Sequence, residues 1–304
     1  MKSIKIYALA LGLLAVFAGC QNDVVKPLEN DKEAPAPVRD VTYTKMSGSV
    51  LLTYTLPSDP DLLYVAASYT NKAGKKYEFK ASYFTNTLLV EGFGDTDTYS
   101  LDVYAVDRSE NYSEPVNIQV AADTPPVQAA YETLEVQPDF GGMTFSFDNA
   151  SKADLTVYVS TPNADNEMVN AETFYTGLAK ATFSVRGFLD VPRDFEICFE
   201  DKWGNRSPVK KENLTPIYEA ELDKKKFKEV ILPGDFPCTF YESKMEYIWD
   251  GRAAADGDGQ TGAHTGIEEH DGPTWFTFDL GVLAKLSRFN LKFVQDDKHF
   301  YNDV

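Results

Sequence analysis

The chain contains the same turn motif twice, and the two copies lie 94 residues apart. Residues 106–115 read VDRSENYSEP, and residues 200–208 read EDKWGNRSP. Each copy follows a run of alternating apolar and polar residues, at 99–105 and at 195–199. Alternation with a period of two puts every second side chain on one face of a strand, as a sheet with one buried side requires. The repeat therefore predicts two copies of one β-domain.

The residues of the repeated motif are typical of a turn that closes a hairpin. Asp107 and Asp201 stand at the turn entry, and Asn or Gly follows at positions that tolerate positive φ. Ser and then Pro lead out of the turn, which favours an edge strand. The alternative is that these aspartates and asparagines bind a ligand. Turn chemistry accounts for them without one, so a structural turn is predicted at both places.

Further short runs extend the pattern through the first copy. Residues 50–56 and 63–69 are apolar or alternating, and the turn-forming segments 57–60 and 71–74 follow them. Spacing of this kind indicates an antiparallel sandwich. The run at 99–105 is predicted to be a central strand. Its core-facing residues would be Tyr99, Leu101, Val103 and Ala105.

Length and composition also support several β-domains. A chain of 304 residues exceeds what one hydrophobic core usually organises, and Pro125 and Pro126 predict an extended linker between the copies. Aromatic residues make up 13% of the chain, with 17 Tyr and 20 Phe against 5 Met, which favours pleated sheets over helical bundles. Lys and Arg number 29 against 47 Asp and Glu, a formal charge of -18. Nucleic acid is therefore excluded as an expected partner, because its phosphates would be repelled.

The first residues have the parts of an export signal. Lys2 and Lys5 precede an apolar run at 6–18, which is too short to span a membrane, and Gly19 and Cys20 follow at once. Residues 1–19 are therefore predicted to be a signal peptide that is removed. Residues 20–36 are polar, acidic and contain proline, which predicts a flexible tether.

The segment Phe-Ala-Gly-Cys at 17–20 resembles the bacterial lipobox. The resemblance implies that Cys20 is lipidated and anchors the mature chain to a membrane. The first position departs from the usual Leu, and the alternative is a cleaved secretory peptide followed by an incidental cysteine. The two later cysteines, Cys198 and Cys238, fall in different predicted domains. Their spacing leaves both a disulfide and two unpaired thiols open.

Two predicted domains resemble a known family. Residues 37–122 resemble a fibronectin type III-like domain, through the segments at 57–64 and 104–107. Residues 123–213, with Phe-Gly-Gly-Met at 140–143 and Arg-Gly-Phe at 186–188, are similar to the second, immunoglobulin-like sandwich of a family of Bacteroidetes outer-membrane lipoproteins. The domains of that family are of unknown function. The resemblance implies a lipid-anchored, surface-exposed protein of the cell outer membrane.

The third region, residues 214–304, carries a different set of motifs. Trp-Asp-Gly at 249–251, Pro-x-Trp-x-x-x-Asp-Leu-Gly at 273–281 and an alternating run at 286–293 are together similar to the coagulation factor 5/8 type C (discoidin) jelly roll. An eight-stranded jelly roll needs on the order of 130–150 residues, and the region is shorter than that. The predicted fold is thus all-β, with two immunoglobulin or fibronectin III-like sandwiches followed by a truncated discoidin-like jelly roll.

The segment at 250–272 is dense in glycine and in oxygen-bearing side chains, as a calcium loop would be. An EF-hand that starts at Asp256 fails, because Thr261 stands where glycine is required and Ile267 where the bidentate glutamate belongs. The discoidin resemblance implies one structural calcium ion on this loop, and a metal-free loop is the open alternative. The candidate ligands are Asp250, Gly251, Asp256 and Asp258.

Catalytic motifs are absent from the sequence, and recognition of sugars is favoured instead. The chain has 3 His and contains no G-x-S-x-G, H-E-x-x-H or P-loop, so we expect a protein that is not an enzyme. Sugar binding needs exposed aromatic rings and polar side chains for hydroxyl groups. Trp249 and Trp275 are predicted to be core residues. The candidate sugar ligands are the loop residues Trp203, His264, His270 and Asp271.

The predicted function follows from these resemblances. The C-terminal discoidin-like module would bind polysaccharide or oligosaccharide, and the family implies a place beside outer-membrane glycan-import proteins. The membrane would be contacted through the lipid anchor only. The alternative is a structural or adhesive surface protein that contacts other proteins and has no sugar site, since a fold does not dictate a function.

Overall fold

The computed structural model describes residues 30–239, 243–251 and 274–290. The first sandwich comprises two antiparallel sheets, with strand orders β1-β2-β5 and β4-β3-β6-β7. Its strands are β1 (Arg39–Met46), β2 (Ser49–Thr55), β3 (Leu62–Thr70), β4 (Lys76–Ser82), β5 (Thr87–Glu91), β6 (Thr98–Asp107) and β7 (Val116–Ala121). Three strands against four is the sandwich arrangement that the sequence predicts.

Strand β6 lies between β3 and β7, so the prediction of a central strand is confirmed. Its alternating residues Tyr99, Leu101, Val103 and Ala105 are buried, in agreement with the period-two pattern. Tyr69 of β3 lies in the middle of the same core and stacks on Phe93, with ring centroids 4.6 Å apart. Burial of apolar side chains of this size stabilises a fold by about 1.5–3 kcal/mol each.

The linker after β7 differs from the sequence prediction. Pro125 is extended, as predicted, but Pro126 begins a short helix, α1 (Pro126–Glu132). Proline suits the first position of a helix, because its fixed φ is already helical and its missing N–H has no partner there. The linker is also bonded to the first sandwich, since Gly48 N–H donates to the Asp123 carbonyl at 3.1 Å and Asp123 N–H donates to the Met46 carbonyl at 3.0 Å.

The second sandwich repeats the arrangement of the first, with strand orders β12-β9-β8 and β11-β10-β13-β14. Its strands are β8 (Glu135–Asp139), β9 (Gly142–Asp148), β10 (Leu155–Pro162), β11 (Met168–Thr176), β12 (Lys180–Arg186), β13 (Arg193–Asp201) and β14 (Lys210–Leu214). Phenylalanines fill its interior, with Phe147 of β9 edge-to-face against Phe199 of β13 at 4.7 Å and Phe174 of β11 stacked on Phe183 of β12 at 4.5 Å. The all-β prediction is confirmed for both sandwiches.

The third region contributes few regular elements within the described residues. They are the 3-10 turns η1 (Lys224–Lys226) and η2 (Met245–Ile248) and the antiparallel pair β15 (Lys228–Val230) and β16 (Thr277–Asp279). The discoidin-like jelly roll stays a prediction. Cys198 and Cys238 are both free thiols. Across the described ranges, no helix is both long and apolar enough to cross a membrane.

The chain divides into two compact units. The first holds the whole first sandwich together with 145–183 and 195–212 of the second. The second unit holds 136–144, 184–194 and the third region. Because 1–135 and 195–212 belong to one unit, contacts of the repeated turn at 200–208 with the first sandwich lie inside that unit.

We expect the first sandwich to lose stability in alkali, because the pKa values of its buried tyrosines are higher in the folded state than in the unfolded state. Burial raises the pKa of Tyr54 to about 12, and burial together with a hydrogen bond to Asp95 raises that of Tyr99 to about 12. An unfolded tyrosine ionises near its ordinary pKa of 10.0. The native state therefore holds the extra protons, so this stabilisation is complete below pH 10 and is lost between about pH 10 and 12.

The midpoint of urea unfolding, followed as the pH is raised, measures this effect. In Tyr54→Phe the decline should be shallower, because one late-ionising hydroxyl group is gone. The hydroxyl group of Tyr54 donates to the Thr87 carbonyl at 3.3 Å, a long bond, so the substitution leaves the ring and its packing in place. A decline of the same slope in both proteins would contradict this role for Tyr54.

Candidate functional site

The two repeated turns have the same internal hydrogen bonds. In the first, Asp107 Oδ1 accepts from the backbone N–H groups of Ser109 and Asn111, both at 2.8 Å, and Asp107 Oδ2 accepts from Asn111 Nδ2 at 2.9 Å. In the second, Asp201 makes the equivalent three bonds, to Trp203 N, Asn205 N and Asn205 Nδ2, all at 2.9 Å. The structural role predicted for these residues is confirmed.

The second repeated turn, at 200–208, also packs against the first sandwich. The Trp203 ring is half-buried and meets Tyr77 edge-to-face at 5.5 Å and Phe79 at 5.6 Å. A Cβ placed on Gly92 would lie 3.2 Å from Trp203 Cδ2, so the ring packs directly on that glycine. The ring predicted to bind sugar from an exposed turn therefore packs between the two sandwiches.

Hydrogen bonds and an ion pair surround the Trp203 ring. Asn205 Nδ2 donates to the Gly92 carbonyl at 3.3 Å, and the Tyr77 hydroxyl group donates to the Trp203 carbonyl at 3.3 Å. Lys202 Nζ lies 3.3 Å from Glu91 Oε1. These contacts, with the bonded linker, join the two sandwiches at two places. We call Trp203 and its partners Tyr77, Phe79 and Gly92 the tryptophan junction.

An acidic cluster lies beside the first repeated turn. Among the described residues, Asp31, Asp61 and Asp107 form the one group of three metal-ligating side chains whose ligand atoms lie within 4.8 Å of one another. Asp107 is 1% exposed, and its oxygens already accept three bonds within the turn. The pKa of Asp61 is raised, chiefly by a hydrogen bond with Asp59. Hydrogen bonds of the turn therefore already engage the carboxyl groups of Asp107 and Asp31.

The end of the predicted tether is bonded to this same turn. Asp31 N–H donates to Ser109 Oγ at 3.0 Å, and Asn111 Nδ2 donates to Asp31 Oδ1 at 3.1 Å and to the Glu33 carbonyl at 3.3 Å. Pro35 is buried. Residues 31–35, which were predicted to be flexible, therefore belong to the first sandwich.

Most of the predicted ligand residues lie outside the described residues. They are Cys20, Asp256, Asp258, His264, His270 and Asp271. Of the predicted calcium ligands, Asp250 is exposed and Gly251 has φ +83, with nothing within 4 Å of where a Cβ would stand. The described part of the chain gathers no group of three metal-ligating side chains around Asp250.

The two tryptophans of the third region lie in different surroundings. Trp249 is half-buried and packs against Phe278 at 5.1 Å and Phe227 at 5.7 Å, so its core assignment fits the structure. The Trp275 side chain is 62% exposed, so its assignment to the core is wrong. Its carbonyl accepts from Phe236 N–H at 2.8 Å, which fixes the backbone just before β16. Sequence reasoning missed this exposed ring because it relied on a motif position.

A glutamate within the second unit holds the start and end of the described third region together. Glu219 Oε1 accepts from Ser287 Oγ at 2.6 Å, and Glu219 Oε2 pairs with Arg288 at 3.1 Å. Arg186, at the end of β12, pairs with Asp139 at 2.8 Å and with Glu219 at 3.4 Å. The side chains of Arg186, Asp139 and Glu219 are about four-fifths buried, and charge-assisted bonds in such surroundings orient the groups strongly.

Two family models match the chain. Residues 35–122 match a model described as a domain of unknown function (DUF4959), and residues 123–225 match another described as a domain of unknown function (DUF5126). The two matches together run through both sandwiches and into the third region. No curated protein matches the chain.

Solved structures that are similar to the chain include a SusE-like protein and fibronectin type III segments of chicken proteins. A SusE-like protein, BT2857, is 32% identical over 52% of this chain, with a TM-score of 0.33, and the chain spans 56% of that protein's length. A two-domain fibronectin type III segment of chicken tenascin is 15% identical, with a TM-score of 0.28, and the match covers 59% of this chain and 99% of the segment. The fibronectin domains 1–3 of chicken CNTN1 are 11% identical over 60% of this chain and 68% of theirs, also with a TM-score of 0.28. These scores are low, so the fold assignment rests on the strand orders described above.

Proposed function

We propose that the chain is a surface-exposed outer-membrane lipoprotein, not an enzyme, that binds carbohydrate through its C-terminal discoidin-like module. The observation that carries the proposal is the exposed Trp275, whose backbone is fixed by its bond to Phe236. An indole ring held out from a fixed backbone can stack on the apolar face of a pyranose.

The aromatic group behind Trp275 supports this role. Trp249 and Phe227 pack on Phe278, three residues beyond Trp275, and Phe276 stacks near Phe278 at 6.4 Å. A packed base of this kind restricts the motion of the segment that carries the exposed ring, which lowers the entropy cost of binding. His264, His270 and Asp271 are proposed to contribute hydrogen bonds to sugar hydroxyl groups from the neighbouring loop.

The proposed setting is a polysaccharide capture and import system. Cys20 would carry the lipid, and the two sandwiches would hold the module away from the membrane. A weak sugar site becomes effective when neighbouring outer-membrane proteins bind the same polymer, because effective concentration adds to affinity. The sequence resemblance to Bacteroidetes outer-membrane lipoproteins supports this partner class.

One structural calcium ion is part of the proposal. Calcium takes six to eight oxygen ligands on a flexible loop. Asp250 and the backbone turn at Gly251 would begin such a loop, and Asp256 and Asp258 would complete it.

The test is a glycan array screened with the soluble chain from Gln21 onward, with and without a calcium chelator. We expect selective binding that falls at least tenfold in Trp275→Ala and falls on chelation. Phe84→Ala is the matched control, because Phe84 is an 83% exposed ring on the first sandwich. A folded chain that binds no glycan but co-purifies with a surface protein would favour the structural or adhesive alternative instead.

A further inference from the structure

The outward side of the β4-β3-β6-β7 sheet in the first sandwich carries three neighbouring tyrosines. Tyr64 is paired with Val106 of β6, and Val106 is bridged to Tyr112, so the side chains of Tyr64 and Tyr112 lie on the same side of the sheet as that of Val106. Tyr104 is two residues before Val106 on β6 and therefore lies on that side too. The hydroxyl oxygens of Tyr64 and Tyr112 are 3.3 Å apart. The Tyr104 ring meets the Tyr112 ring edge-to-face at 5.7 Å. We call Tyr64, Tyr104 and Tyr112 the tyrosine face.

The rings of the tyrosine face are supported from below and reachable from above. Val106 and Ala66, which are paired with Tyr64 and Tyr104, are 0% and 1% exposed although they lie on the outward side of the sheet. Because Val106 and Ala66 are small and buried, the larger tyrosine rings beside them can lie against the sheet. Tyr112 is still 44% exposed. The face is therefore an ordered aromatic surface open to solvent.

Hydrogen-bonding side chains continue the face along the same side of the sheet. Asp102, two residues from Tyr104 on β6, accepts from Asn117 Nδ2 at 2.9 Å, and Asn117 Nδ2 also donates to Ser100 Oγ at 2.7 Å. On the other flank, Lys80 Nζ lies 3.3 Å from the Tyr64 hydroxyl group and 4.6 Å from its ring centroid. Donors and acceptors thus stand on both sides of the aromatic rings.

The second sandwich serves as an internal comparison. Its turn is offset by 94 residues, so Cys198 and Arg206 occupy the positions of Tyr104 and Tyr112. Thr156, which pairs with Glu200, occupies the position of Tyr64. The same sheet and the same turn hydrogen bonds therefore form without any of the three tyrosines. The scaffold does not require the tyrosine face.

We infer that the tyrosine face is a second carbohydrate-binding site, for an uncharged oligosaccharide. Stacked or edge-on aromatic rings recognise the C–H face of a pyranose, and the amide, carboxyl and ammonium groups beside them recognise its hydroxyl groups. Charge selects the neutral ligand. Lys80 pairs with Glu78 at 3.1 Å, and Asp102, which bonds to the uncharged amide of Asn117, leaves the face without excess positive charge. A face of this kind, on a chain of formal charge -18, repels anionic polymers. This site does not depend on sugar binding by the C-terminal module.

The experiment is native gel electrophoresis of the soluble chain from Gln21 in gels that contain xyloglucan, galactomannan, laminarin or no polymer. All proteins carry Trp275→Ala, which removes the proposed module site. The test variant is Tyr64→Thr/Tyr112→Arg, which installs the residues that the second sandwich carries. Tyr175→Ala is the matched control, because Tyr175 is 77% exposed on the second sandwich.

We expect at least one neutral polymer to retard the Trp275→Ala chain and the control equally, and the test variant to bind at least tenfold more weakly. No retardation of the Trp275→Ala chain by any polymer would overturn the inference and leave all binding to the module. Equal retardation of test variant and control would overturn it too. If the test variant melts at a lower temperature, its weaker binding could reflect lost stability, and Asn117→Ala is measured in its place. Asn117 is exposed, so this substitution should leave the fold intact, and we expect at least threefold weaker binding of the polymer.

Discussion

Replacement of Gly142 by alanine is expected to destabilise the second sandwich more than any other exchange of one small residue for another. A Cβ on Gly142, the first residue of β9, would lie 1.8 Å from the carbonyl oxygen of Val185 and 2.8 Å from its carbonyl carbon. Both atoms belong to the backbone of β12, so no side chain can move aside. We expect the free energy of unfolding to fall by at least about 3 kcal/mol.

Urea unfolding of Gly142→Ala, compared with Gly177→Ala, tests this prediction. The control has its glycine in the same sandwich. Its Cβ would meet Asp154 Oδ1 at 3.3 Å, the end of a side chain that can rotate, and the Lys152 carbonyl oxygen at 3.8 Å, an ordinary contact distance. Its midpoint should stay close to that of the unmodified protein. If the two variants unfold at the same urea concentration, the close approach of β9 and β12 at Gly142 is not a constraint on the fold.

The second large effect is expected at the tryptophan junction. In Trp203→Ala the contacts with Tyr77, Phe79 and Gly92 are lost and a gap opens between the sandwiches. Truncation of a completely buried aromatic ring to alanine lowers the free energy of unfolding by about 3–5 kcal/mol, and truncation of a half-buried ring lowers it by less. We expect a loss of about 2 kcal/mol, and we expect the two sandwiches to unfold in separate steps where the unmodified protein unfolds in one.

Differential scanning calorimetry resolves the steps. Phe84→Ala provides the comparison, because its ring is 83% exposed and lies tilted against the neighbouring Tyr83, with centroids 4.1 Å apart. The control should keep a single transition at nearly the same temperature. A Trp203→Ala trace that superimposes on that of the unmodified protein would show that the sandwiches are coupled by the linker alone.

The strands and turns of the sandwiches could be predicted because their signals are local. Period-two alternation identified β6, and an aspartate followed by asparagine identified both turns, since these residues bond to their own backbone two to four positions away. Even the positive φ of the turn recurs, at Glu110 with φ 62 and at Gly204 with φ 84. A glutamate in that conformation could not have been predicted from its type.

The surroundings of the tryptophans could not be predicted, because they depend on contacts between distant parts of the chain. Trp203 packs on Tyr77, 126 residues earlier. One signal was present in the sequence. The position equivalent to Trp203 in the first copy is Ser109, so a large ring stands where the other copy has a small polar residue, between an aspartate and an asparagine that both copies share. Trp275 was assigned from a motif, whereas Trp249 and Phe278 fill the local interior and leave Trp275 outside.

The docking of Asp31 on the first turn sets a length scale for the proposed anchor. If Cys20 carries the lipid, the tether consists only of the residues between Cys20 and Asp31, because Asp31 is bonded to Ser109 and Asn111 of the first sandwich. Eleven residue steps in a fully extended chain reach about 36–40 Å. The first sandwich would therefore swing within a hemisphere of that radius.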